Sequence, residues 1–159
     1  MLLAVVKFAS IILTTLISGE ALVASTPLDS RSLASSLEVP PGFFDGTNSG
    51  QALWEAADGV GACGTEIENN AEFIGYVNQM LFNSVPGYNK TIESPQDNPV
   101  CGQLMSVTYE GITIQVTVED MDIFAESPAG IGLSSAAFGT LTGNNFGLGI
   151  IDVTWEWAK

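Results

Sequence analysis

Residues 102–120, GQLMSVTYEGITIQVTVED, decide how the chain folds. Ile112, Ile114, Val116 and Val118 alternate with Thr113, Gln115, Thr117 and Glu119. Successive side chains of a strand point to opposite faces, so a strict period of two describes a strand with one apolar and one polar face. Glu110-Gly111 separates this run from a second β-rich stretch and predicts a hairpin turn. Residues 149–157, GIIDVTWEW, alternate in the same way, with Ile151, Val153 and Trp155 on one face and Asp152, Thr154 and Glu156 on the other. Upstream, GQALW at 50–54 predicts a first strand, and AEFIGYV at 71–77 predicts another that runs into a short helix over NQMLFNS at 78–84. SSAAFGTL at 134–141 predicts a second short helix with Ser134 as its N-cap. Short strands with small helices between them fit a small, mainly β barrel better than a helical bundle or a βαβ sheet.

The amino terminus sets the compartment. Residues 1–25, MLLAVVKFASIILTTLISGEALVAS, carry one early charge, Lys7, then the apolar run Phe8–Ile17, then small residues with cleavage points after Ala21 or Ala24. That is the layout of a secretory signal peptide over 1–24. Ser10, Thr14, Thr15 and Ser18 interrupt the run, which falls short of the ~20 apolar residues of a membrane span. The expectation is a secreted, extracellular protein with no membrane association after cleavage. Residues 25–48, rich in Ser, Pro, Gly and Asp, read as a flexible arm or pro-segment. Residues 49–159 are then the barrel domain, acting as a monomer.

Charge removes whole classes of function. The chain has 18 acids, 4 bases and no histidine, for a net charge of −14. Glu20 and Lys7 both lie in the leader, so cleavage leaves that balance unchanged. Such a surface has almost nothing with which to displace the counterions of a nucleic acid, and it is repelled by anionic membranes and polyanions. Neutral glycans, basic proteins and cationic peptides remain as partners. Without histidine there is no Ser-His-Asp or Cys-His catalysis. No metal site and no cofactor are expected.

Cys63 and Cys101 are the only cysteines. A zinc site needs about four Cys or His ligands, and a nucleophilic thiolate needs an activating base. In a secreted chain two cysteines usually pair, so a Cys63–Cys101 disulfide is expected. It closes a loop worth roughly 3–4 kcal/mol in the chain-entropy model. Asn89-Lys90-Thr91 is an N-glycosylation acceptor in the polar loop VPGYNKTIESPQDNP.

The order of these pieces resembles the RlpA-like double-psi β-barrel family, which includes expansins, barwin-like proteins and small secreted fungal proteins. The segments that carry the resemblance are Gly61-Ala62-Cys63-Gly64, Cys101-Gly102, Leu133-Ser134 with Ala136-Ala137-Phe138, and the ending Ile151-Asp152-Val153-Thr154-Trp155. The resemblance covers about residues 49–157. It implies a six-stranded double-psi β-barrel with two or three short helices and a groove where polysaccharide is bound or cut. One acidic groove residue of the family falls on Asp120, within Val118–Asp122. The other falls on Gly132, so that acid is missing. Asp122 stands where many relatives have Cys, and IFAESPAG at 123–130 lacks the Cys pair that often braces this loop.

Glycoside cleavage needs two carboxyl groups across the scissile bond, and glycine supplies neither. The candidate substitute is Glu55, next to Trp54, which would pair with Asp120 while Asp122 or Glu126 leans in. An acidic chain places carboxylates near any groove by chance, so the pair is weighed against a purely structural role. Trp54, Tyr76, Tyr88, Phe124 and Trp157 are the candidates for a sugar-stacking platform, with Trp54, Asp120, Asp122 and Phe124 assigned to the groove and Trp155 to the core. Three readings follow, in order. The first is a non-catalytic protein binding cell-wall polysaccharide or a partner or host protein. The second is an expansin-like wall-loosening protein or weak glycan-cleaving enzyme using Asp120. The third is a protease inhibitor or effector, with the loop 123–130 as the place to look.

Overall fold

The computed structural model describes residues 45–123, 125 and 127–158. Residues 1–44, Phe124, Glu126 and Lys159 lie outside the described residues, and with them the expected signal peptide over 1–24 and all but the last four residues of the arm expected over 25–48. Among the described residues, eight strands and two α-helices follow in order: β1 (Asn48–Trp54), β2 (Gly59–Val60), β3 (Glu66–Ile67), β4 (Ile74–Asn78), α1 (Gln79–Ser84), β5 (Leu104–Tyr109), β6 (Ile112–Asp122), β7 (Ile131–Leu133), α2 (Ser135–Thr142) and β8 (Ile150–Trp157). Six of the strands close a barrel in the order β1-β7-β4-β6-β5-β8, and β2 and β3 form a separate ribbon. The pairs β1–β7 and β4–β6 are parallel, and the rest are antiparallel. The expected six-stranded, mainly β barrel is what forms.

The period-two segments dictate the walls. β5 and β6 pair from Leu104↔Thr117 to Tyr109↔Ile112 across the two-residue turn Glu110-Gly111. Both turn residues have positive φ, 46° and 83°, as a hairpin of this length requires for its twist to match the strands. Ile114, Val116 and Val118 point inward and meet Met105 and Val107 of β5 and Ile151, Val153 and Trp155 of β8. Ile112 shares their parity yet is exposed, because it sits at the hairpin end where the barrel wall stops. Ile131, Leu133, Val77, Leu81, Phe82, Phe138 and Leu141 complete one core.

The helices start where short side chains cap them. Asn78 accepts from the Met80 amide at 2.7 Å. Ser134 accepts from the Ala137 amide at 3.3 Å and the Ile74 amide at 3.2 Å, and donates to the Glu72 carbonyl at 2.7 Å. One buried hydroxyl thus caps α2 and ties it to β4, satisfying donors that a helix start would otherwise leave open.

Cys63 and Cys101 are disulfide-bonded, with Cα atoms 5.5 Å apart and a sequence separation of 38. The bond joins the turn between β2 and β3 to the segment entering β5. Disulfides of this kind persist in oxidising compartments.

Candidate functional site

Glu55 leaves the end of β1, Tyr76 sits mid-β4, and Asp120 and Asp122 end β6; together with Ala57, Met121 and Ile123 they line one groove of about 130 Å³. The topology brings them together. β4 runs parallel to β6 with Tyr76 opposite Asp120, and antiparallel to β7 with Tyr76 opposite Gly132. The Glu55 amide donates to the Leu133 carbonyl at 2.9 Å, so Glu55 crosses over β7 beside Gly132. A Cβ on Gly132 would lie 2.7 Å from Glu55 Cγ and 2.9 Å from Tyr76 Cβ. The space an aspartate at 132 would start from is already filled by Glu55 and Tyr76.

The electrostatics follow from this crowding. Burial, then the Asp122 carboxylate, then the Asp120 carboxylate push Glu55 above its ordinary value. Tyr76 is pushed up to about 12 by burial, then by Asp120, Glu55 and Asp58. Its hydroxyl donates to the Ala57 carbonyl at 3.4 Å.

The two aspartates hold backbone. Asp120 Oδ1 accepts from the Ala62 amide at 2.7 Å and from its neighbour Met121 at 2.8 Å. The Gly61-Ala62-Cys63-Gly64 segment is thereby pinned to β6, and the Cys63 amide adds a bond to the Glu119 carbonyl at 3.2 Å. Gly61 must be glycine, since a Cβ there would lie 2.4 Å from the Glu119 carbonyl oxygen. Asp122 is buried, and its Oδ1 accepts from the Ala125 amide at 3.1 Å. Asn78 Nδ2 donates to the Ala125 carbonyl from the other side. A carboxylate that accepts backbone amides fixes a loop, which is a structural use of the charge.

The aromatic candidates scatter. Tyr76 is buried, Tyr88 stands edge-on to Phe82 at 5.8 Å, and Trp157 is half-buried edge-on to Trp155 at 5.4 Å. Trp54 is not among the groove-lining residues. Its ring leans on Phe146 at 4.8 Å, its Nε1 donates to Ser135 Oγ at 3.0 Å, and it is 39% exposed. Phe124 lies outside the described residues. Asn89 is exposed, its Oδ1 accepting from the Thr91 amide.

One organising residue escapes sequence reading. Asn69 is buried, with Nδ2 donating to the Glu55 carbonyl at 3.0 Å and the Ala57 carbonyl at 2.9 Å. Its Oδ1 accepts from the Ser135 amide, and its own amide donates to Asp58. It locks the segment after β1 to the start of α2, and so positions Glu55. Nothing marks it within the run EIENN at 66–70, where a second asparagine and two glutamates surround it.

The barrel, its strand order and the Gly-Ala-Cys-Gly buttress on β6 define the class: this is an RlpA-like double-psi β-barrel fold. No family model matches the sequence, and no curated protein matches it. Among solved structures, a Streptomyces papain inhibitor is similar at 26% identity and a TM-score of 0.61, over 73% of this chain and 97% of the inhibitor. An expansin of Clavibacter michiganensis, seen alone and as a mutant in complex with cellohexaose, is similar at 21% identity and a TM-score of 0.53. That match covers 72% of this chain but 51% of the expansin, so the chain spans about half the expansin's length.

Proposed function

We propose that the chain is a secreted, non-catalytic barrel that binds a partner protein, and that the partner is a papain-like cysteine protease whose activity it blocks. The observation that carries this reading is the likeness to the papain inhibitor, of which 97% is matched at 26% identity. The groove supports the non-catalytic part. Asp120 spends its Oδ1 on two backbone amides, and the opposing family position is Gly132. At about 130 Å³ the groove is also below the ~300–1,000 Å³ of ordinary small-molecule sites. The scattered aromatics leave Trp54 as the one substantially exposed ring among the described platform candidates. Secretion rests on the leader-like residues 1–24 and agrees with the disulfide; Asn89 is free to carry a glycan.

A second reading has one specific observation behind it. Glu55, whose carboxyl burial and the nearby Asp122 and Asp120 push above its ordinary value, shares a groove with Asp120, and glycan cleavage uses two carboxyl groups facing one groove. The two readings are separated by incubating the purified protein with immobilised papain and, in parallel, with insoluble cellulose, chitin, β-glucan and xylan, assaying reducing ends in the polysaccharide tubes. Retention on papain without reducing-end release is expected. Release that disappears in Asp120→Asn would transfer the assignment to the glycan reading.

A further inference from the structure

We infer that a second groove, on the outer wall of the barrel, receives an arginine side chain of a partner protein. Glu72 and Phe73 form one wall just before β4, Gln115, Thr117 and Glu119 of β6 form the next, and Thr65 closes it just before β3. The groove holds about 290 Å³, more than twice the volume of the one with Glu55 and Asp120, and shares no lining residue with it. Gln115, Thr117 and Glu119 face outward because the alternate residues Val116 and Val118 are buried in the core. Phe73 is large and apolar, yet it is 39% exposed. Recognition of this kind does not require the partner to be a protease.

Backbone hydrogen bonds fix every wall. The Thr117 amide donates to the Phe73 carbonyl at 2.9 Å, which ties the entry of β4 to β6. Glu72 is held twice: its amide donates to the Glu68 carbonyl at 3.1 Å, and its carbonyl accepts from the Ser134 hydroxyl at 2.7 Å. The Gly61 amide donates to the Thr65 carbonyl at 3.0 Å and the Cys63 amide to the Glu119 carbonyl at 3.2 Å, so the disulfide-bonded turn carries the third wall. Walls held this way lose little freedom when the groove is filled. The lining selects the occupant. Glu72 and Glu119 offer carboxylate acceptors, Gln115 a carboxamide and the threonines hydroxyls, and no base lines the groove. Lys90, the one base among the described residues, lies in the loop between α1 and β5. Net acidity draws a cation to any face of the molecule. A phenyl ring and two carboxylates brought to one groove from separate elements favour a planar cation that stacks and donates several hydrogen bonds at once. Guanidinium does both, whereas an ammonium is a point charge.

The test is a titration followed by NMR amide shifts, using acetyl-Gly-Arg-Gly-amide, its citrulline counterpart (the same shape without the charge) and cellohexaose. Glu72→Gln/Glu119→Gln and Phe73→Leu probe the groove. Asp152→Asn/Glu156→Gln removes the same two charges from β8, elsewhere on the outer wall. Saturable shifts are expected at the Thr65, Phe73, Gln115 and Thr117 amides with the arginine peptide, with affinity about tenfold lower for citrulline. The glutamine pair should bind arginine no better than citrulline, Phe73→Leu should bind it several-fold more weakly than wild type, and the β8 pair should match wild type. No saturable shift at these amides, equal affinity for arginine and citrulline, or an equal loss in the β8 pair would overturn the site. Tighter saturation of the same amides by cellohexaose would overturn it too, and give the groove to a glycan. The citrulline comparison needs only wild type, so it decides the matter even where a variant does not fold. None of these readouts uses papain, so failure here leaves the inhibitor reading standing.

Discussion

Gly132 is conspicuous in the sequence as a missing acid, and in the structure as the place where Glu55 Cγ and Tyr76 Cβ converge. The two views differ because the sequence shows what a position lacks, whereas Glu55 reaches it only through the β1–β7 pairing. Two predictions belong to this scale. Gly132→Ala should destabilise by about 1–3 kcal/mol through overpacking. Adding Glu55→Ala should recover part of that loss, because Glu55 can be trimmed but the Tyr76 Cβ cannot move; denaturant melts of the single and double variants measure the coupling. The second concerns pH. A carboxyl whose folded value is raised contributes stability below its ordinary value, here 4.5, and loses it as the pH climbs through the raised one. Melting temperatures taken from pH 4 upward should therefore fall less in Glu55→Gln than in wild type. Identical profiles would mean that Glu55 is not held in the crowded groove.

Among the elements, legibility followed length and burial. β6 and β8 could be read because they bury one face and are long enough for a period of two to register, and the Ser134 cap because a serine before an apolar turn has few other uses. β2, β3 and β7 have two or three residues each, too few for any period. β7 is buried throughout and therefore does not alternate. The buttress was half legible: the cysteine pairing followed from count and compartment, but the Ala62 amide on Asp120 did not. This element carries its own prediction. Cys63→Ser with Cys101→Ser should lower stability by about 4 kcal/mol, the loop-closure value for this separation. Hydrogen exchange should rise first at the Ala62 and Cys63 amides, which rest on β6. Protection there equal to wild type would show that Asp120 and Glu119 hold the segment unaided.

At the scale of the whole molecule, the fold emerges from alternation and order of segments, while the function does not. The same barrel serves a papain inhibitor and an expansin, so activity lies in what decorates the frame. Here the decoration is a net charge of −14 and two aspartates that hold loops. A surface of that charge should associate with a basic partner faster at low salt and more slowly as screening rises. The most direct measurement is a titration of papain with the purified protein at low and at moderate ionic strength, following residual protease activity. Saturable loss of protease activity is expected, reached at a lower concentration of the barrel protein in low salt, with that protein recovered uncleaved. Full protease activity at every concentration, or progressive cleavage of the barrel as a substrate, would contradict it.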